Sequence, residues 1–79
     1  MREAPELRLT TDARYLLMRI HDHYGQAPAS SPIAKHENEL LEDGYVELHE
    51  QTLHITTTGR AAAGLIRRHY DRLRELNEQ

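Results

Sequence analysis

Glu39-Leu40-Leu41-Glu42-Asp43-Gly44-Tyr45-Val46-Glu47, followed shortly by Leu53-His54-Ile55-Thr56-Thr57-Thr58-Gly59-Arg60-Ala61, is the stretch that decides the fold. The paired leucines run into Gly44, which ends a helix because glycine takes the left-handed conformation that side chains resist. Two short runs with period-two alternation follow, Tyr45–His49 and Thr52–Thr56. With a loop centred on Glu50-Gln51, Val46 faces Ile55 and Leu48 faces Leu53. All four then lie on one side, with Tyr45, Glu47, His49, Thr52, His54 and Thr56 on the other. Agreement of both strands with one register predicts a hairpin. Neither loop residue favours the mirror-image tight turn, so a two-residue loop and a slightly longer one are equal alternatives.

On the C-terminal side, the cluster Thr56-Thr57-Thr58 opens a helix that is predicted to run over about 57–76. Its inner stripe is Ala62, Leu65, Ile66, His69, Leu73 and Leu76. Within it, Ile66, His69, Leu73 and Leu76 have the 3-4-3 spacing of a coiled-coil seam. This helix outruns the hairpin, so its second half is expected to form a homodimer.

On the N-terminal side, residues 1–9 read as an arm, with Leu7 and Leu9 available to pack. Residues 10–79 form the domain. A first helix is predicted over Thr11–Tyr24, capped by Thr10 or Thr11, with Ala13, Leu16, Leu17, Ile20 and Tyr24 facing inward and Gly25 as its stop. Gln26–Ser31 reads as a loop. Ser31-Pro32 reads as an N-cap with proline at the first position of a second helix, Pro32–Asp43, whose inward residues are Ile33, Leu40 and Leu41. The fold class is α+β.

Leu40-Leu41-x-x-Gly44-Tyr45-Val46 followed by Ile55-Thr56-x-x-Gly59-Arg60-Ala61 resembles the back half of a winged-helix domain of the MarR and PadR kind. It resembles more closely the short YjcQ-like domains of prophages, over residues 40–63. The resemblance implies a helix-turn-helix, a hairpin wing and DNA binding. This chain departs from it in one respect: residues 26–43, all that lies between Gly25 and Gly44, have room for one helix rather than two. The expected form is a reduced winged helix, ordered helix, helix, hairpin wing and long C-terminal helix.

Composition narrows the function. At 79 residues with no Phe, Trp or Cys, the chain forms one domain with a thin aliphatic core, and thiolate and disulfide chemistry are excluded. No apolar run is long enough for a signal peptide or membrane span, so a cytoplasmic protein is expected. Enzyme chemistry finds no support. The only serines, Ser30 and Ser31, suit a helix cap, and no glycine-rich phosphate loop is present. No cofactor is implied. The six histidines lack ligand spacing, so no metal site is predicted.

Two functions remain. The helix in the recognition position carries Lys35, His36 and Asn38, residue types that read bases, but also Glu37, Glu39, Glu42 and Asp43. The wing has no Lys or Arg, and the net charge is −3. Repulsion of a phosphate backbone is expected from that balance. Basic residues gather instead on the last helix, as Arg60, Arg67 and Arg74 every seven residues, with Arg68 and Arg72 beside them. The guanidinium groups suit a carboxylate or phosphate partner. Local pairs such as Arg67–Asp71 and Arg68–Asp71 are the plain alternative. The residues favour a non-catalytic module that binds a protein partner, such as a phage regulator, inhibitor or anti-defence protein. The alternative is a dimeric DNA-binding transcription regulator.

Overall fold

A computed structural model describes residues 8–77. The arm expected at 1–9 lies mostly outside the described residues, but Leu9 is buried in the core. The elements are α1 (Thr11–Asp22), β1 (Gln26–Pro28), α2 (Lys35–Glu42), β2 (Val46–His49), β3 (Thr52–Ile55) and α3 (Thr57–Asn77). The strands form one antiparallel sheet in the order β1-β3-β2, so the chain is α+β with a hairpin followed by a long helix.

Helix α1 starts where Thr10 Oγ1 accepts from the Ala13 N–H at 3.3 Å. It ends two residues before the predicted Tyr24. The left-handed turn falls on Tyr24 itself (φ 62°) as well as on Gly25, and the Gly25 N–H closes the helix on the Ile20 carbonyl at 2.9 Å. Tyr24 is therefore thrown into solvent instead of completing the inner stripe. Gly25 is needed because a Cβ there would meet Ile55 Cγ2 and Arg60 Nη2 at 2.8 Å.

The expected loop at Gln26–Ser31 contains a strand. β1 pairs Gln26 with His54, Ala27 with Leu53 and Pro28 with Thr52. Proline is tolerated because β1 is an edge strand. Helix α2 begins at Lys35 rather than Pro32. Glu37 sets its start, taking the Ala34 N–H on Oε1 and the Ser30 N–H on Oε2, each at 2.9 Å. Leu40 is fully buried, while Ile33 and Leu41 are half-buried. Gly44 (φ 77°) stops α2 as expected. Its N–H reaches the Leu41 carbonyl and the Tyr45 N–H reaches that of Leu40, which satisfies two otherwise orphan acceptors.

The hairpin has the predicted register, Val46 opposite Ile55 and Leu48 opposite Leu53. Its loop is the two-residue form, with Glu50 and Gln51 both at positive φ (51° and 65°). Facing is only partly as predicted. Val46 and Leu53 are buried and Ile55 is half-buried, but Leu48 sits near the tip, beyond reach of the core, and is exposed. Tyr45, expected outward, is buried because it lies in the turn between α2 and β2 rather than in the pleat.

Thr56 opens α3. Its Oγ1 accepts from the Gly59 N–H at 2.9 Å and donates to the Gly44 carbonyl at 2.7 Å, which joins two of the motif positions. The core comprises Leu9, Ala13, Leu17, Ile20, Leu40, Tyr45, Val46, Leu53, Ala62, Ala63 and Ile66. Asp22 of α1 pairs with Arg67 of α3, while Arg14 stacks on Tyr70, so the two helices run antiparallel. At 1.5 Å per residue α3 is about 31 Å long and α1 about 18 Å, so the end of α3 passes the start of α1.

Candidate functional site

Helix α2 does not present the acidic face that its sequence suggests. Glu37 is buried, with both carboxylate oxygens taken by backbone N–H groups. Burial acts to raise its pKa, but the N–H groups of Ala34 and Ser30 outweigh that and hold it below the ordinary carboxylate value. Glu39 turns toward α1, where its carboxylate accepts from the Thr10 N–H at 2.9 Å and from Thr10 Oγ1 at 2.8 Å. Solvent meets Lys35, Asn38, Glu42 and Asp43, and Asn38 Nδ2 donates to Glu42 Oε1 at 3.0 Å. His36 turns half-buried into a cleft with Arg19 and His23. The β2–β3 hairpin exposes Glu47, His49, Glu50 and Gln51, and neither its strands nor its turn carry a lysine or arginine.

The five arginines of α3 do not act as one free patch. Arg67 pairs with Asp22, not with the Asp71 expected from helix spacing. That contact and the hydrogen bond from His21 hold the Asp22 carboxyl below its ordinary pKa, the His21 bond contributing most. Arg68 Nε turns back toward the carbonyl of Gly64 at 3.4 Å. Arg60 lies against Gly25 at the other end of the helix from Arg72 and Arg74, which are exposed.

The proposed seam needs a correction at its first position. Ile66 is 0% exposed inside the domain and is not available to a second chain. Leu65 takes its place on the surface at 44%, with Leu73 at 43% and Leu76 at 64% exposed. Leu65, His69, Leu73 and Leu76 follow at four, four and three residues, so they share one side of the helix. Leu73 also borders a groove of about 620 Å³ between α1 and α3, lined by Thr11, Tyr15, Met18, Tyr70, Leu73 and Arg74. Tyr15 is exposed there, and the Arg14 guanidinium sits 5.9 Å from the centre of the Tyr70 ring. Sequence reasoning missed Tyr15, Met18 and Tyr70. The available signal was a second stripe on α1, Thr11-Tyr15-Met18, at four- and three-residue spacing beside the core stripe.

On the hairpin, His49 Nε2 lies 3.2 Å from a Glu47 carboxylate oxygen, and the His49 and His54 rings meet edge-on at 5.5 Å. Among the described residues no group of three His, Asp or Glu side chains is placed to hold a metal ion, and no helix is long and apolar enough to cross a membrane. The chain matches no known protein family, curated protein or solved structure.

Proposed function

We propose that this chain is a non-catalytic interaction module on a reduced winged-helix scaffold, and that it engages a protein partner where α3 runs past α1. One observation carries the reading. Tyr15, Leu65, Leu73 and Leu76 are exposed on two neighbouring helices. Large apolar side chains left in solvent beside one another, as Tyr15 and Leu73 are along the α1–α3 groove, mark an interaction site. The scaffold reading is supported by the order helix, strand, helix, hairpin, helix, with β1 closing the sheet beside β3 and no helix in 29–34. A cytoplasmic setting suits a chain without cysteine.

A DNA-binding regulator, with α3 making a dimer, is the second reading. It is favoured by the inward turn of Glu37 and Glu39, which leaves Lys35 and Asn38 outermost on α2. Exposed Glu42 and Asp43 and a wing without lysine or arginine weigh against it.

Duplex-DNA shift assays at low and moderate salt, run beside partner capture with the unmutated chain and the Leu73→Glu variant, separate the two. The expected result is weak, sequence-indifferent DNA binding and a partner lost on Leu73→Glu. Tight, sequence-selective binding abolished by Lys35→Glu contradicts the proposal.

A further inference from the structure

We propose that the groove between α1 and α3 takes an acidic amphipathic helix of a partner protein, an inference that rests on the interaction-module reading above. The floor is apolar: Tyr15 and Met18 from α1, Tyr70 and Leu73 from α3. Its volume of about 620 Å³ suits the anchor side chains of a helix laid along it, presented at i, i+3 or i+4, and i+7. Within the lining the charge has one sign, while the exposed Asp12, Asp71 and Glu75 stand at the positions next to it in sequence. Arg74 lines the groove, Arg14 lies over Tyr70, and no carboxylate is among the lining residues. Asp22, the next position along the Thr11-Tyr15-Met18 line of α1, is already taken by His21 and Arg67. The chain as a whole is acidic, at −3, so a groove whose charged lining residue is an arginine runs against its composition.

Arg14 supplies a second, independent observation. Its Nε is buried and has no hydrogen-bond partner among the described residues, and its Nη2 reaches Thr11 Oγ1 at 3.5 Å. Thr11 and Tyr70, which it touches, both line the groove. A carboxylate brought in above Tyr70 adds a charge-assisted acceptor beside a guanidinium that the domain leaves under-used, and Arg74 offers a fork to a second one a turn away.

Met18 is the reporter, since the only other methionine is Met1. The full chain, labelled at the methionine methyl groups, is titrated with two synthetic helical peptides. Both carry Leu and Phe at i, i+4 and i+7, and their flanks carry Glu in one and Lys in the other. The Glu peptide is expected to shift the Met18 methyl signal and to bind at least about tenfold more tightly than the Lys peptide at low salt. The gap should narrow as salt rises, and Arg74→Glu should reverse the preference, with circular dichroism confirming the fold. Equal binding of the two peptides, or an unmoved Met18 signal, overturns the proposal. So does a Met18 shift produced merely by removing residues 1–7, which assigns the groove to the chain's own first residues. Sedimentation as a dimer that Leu73→Glu dissociates overturns the acidic occupant in favour of a second copy, yet leaves the interaction-module reading standing. A sequence-selective DNA complex destroyed by Lys35→Glu overturns both.

Discussion

Glu39 of α2 accepts two hydrogen bonds from Thr10, one from its backbone N–H and one from its hydroxyl, across 29 positions of sequence. The same Thr10 caps α1. One carboxylate therefore ties α1 to α2 and fixes the angle between them. Glu39→Ala should lower stability by about 1–2 kcal/mol through loss of this tie. Chemical denaturation checks the figure, and Glu39→Gln should recover part of it.

Glu37 should make the fold acid-sensitive. Its folded pKa lies below the ordinary value, so it contributes stability above the unfolded pKa that is lost as pH falls through the folded one. Asp22 is lowered too and acts with the same sign, though it is exposed and screened. The melting temperature should fall as pH drops below the ordinary glutamate pKa of about 4.3. Glu37→Gln should flatten that decline while lowering stability at neutral pH. Melting curves from pH 3 to 7 test both.

Gly59 and Gly44 should respond differently to alanine. At Gly59 a Cβ would collide with the Tyr45 carbonyl, so Gly59→Ala should destabilise the protein although alanine is the better helix former by about 1 kcal/mol. At Gly44 nothing lies within 4 Å and only the left-handed φ resists, so the cost should be about 1–2 kcal/mol. Urea unfolding of the two variants gives the comparison, with Gly59→Ala expected to be the less stable.

Ile66 and Leu73, assigned to one seam by their spacing, should behave as different kinds of residue. Ile66→Ala should cost about 2–5 kcal/mol as a core cavity. Leu73→Glu should leave the melting temperature nearly unchanged and act on association instead. Calorimetry with sedimentation of both variants checks this, and equal melting losses would put Leu73 in the core.

These cases show what the chain made legible. The hairpin register was readable because Val46, Leu48, Leu53 and Ile55 repeat at period two on both sides of one turn, and a slip would reverse every side chain. Gly44 and Thr56 were readable because caps are local chemistry. β1 was not, since a three-residue strand containing Pro28 has no period and exists by pairing with β3. The roles of Glu37 and Glu39 were hidden for a related reason. A glutamate on a helix reads as solvent-facing until its tertiary partner, here Ser30 or Thr10, is known. Ile66 and Leu65 differ by one step of the helix, and only the position of α1 decides which of them the core takes.

The central claim is that the protein acts through the α1–α3 face and not through the outer face of α2. Site-specific photocrosslinking tests it most directly, with a photoreactive phenylalanine analogue placed at Leu73 in one variant and at Asn38 in another, inside the producing cell. Both positions are exposed, so neither probe should disturb the core. The account predicts a discrete protein adduct from position 73 and no nucleic-acid adduct from position 38. A DNA adduct from position 38 with none from position 73 would contradict it.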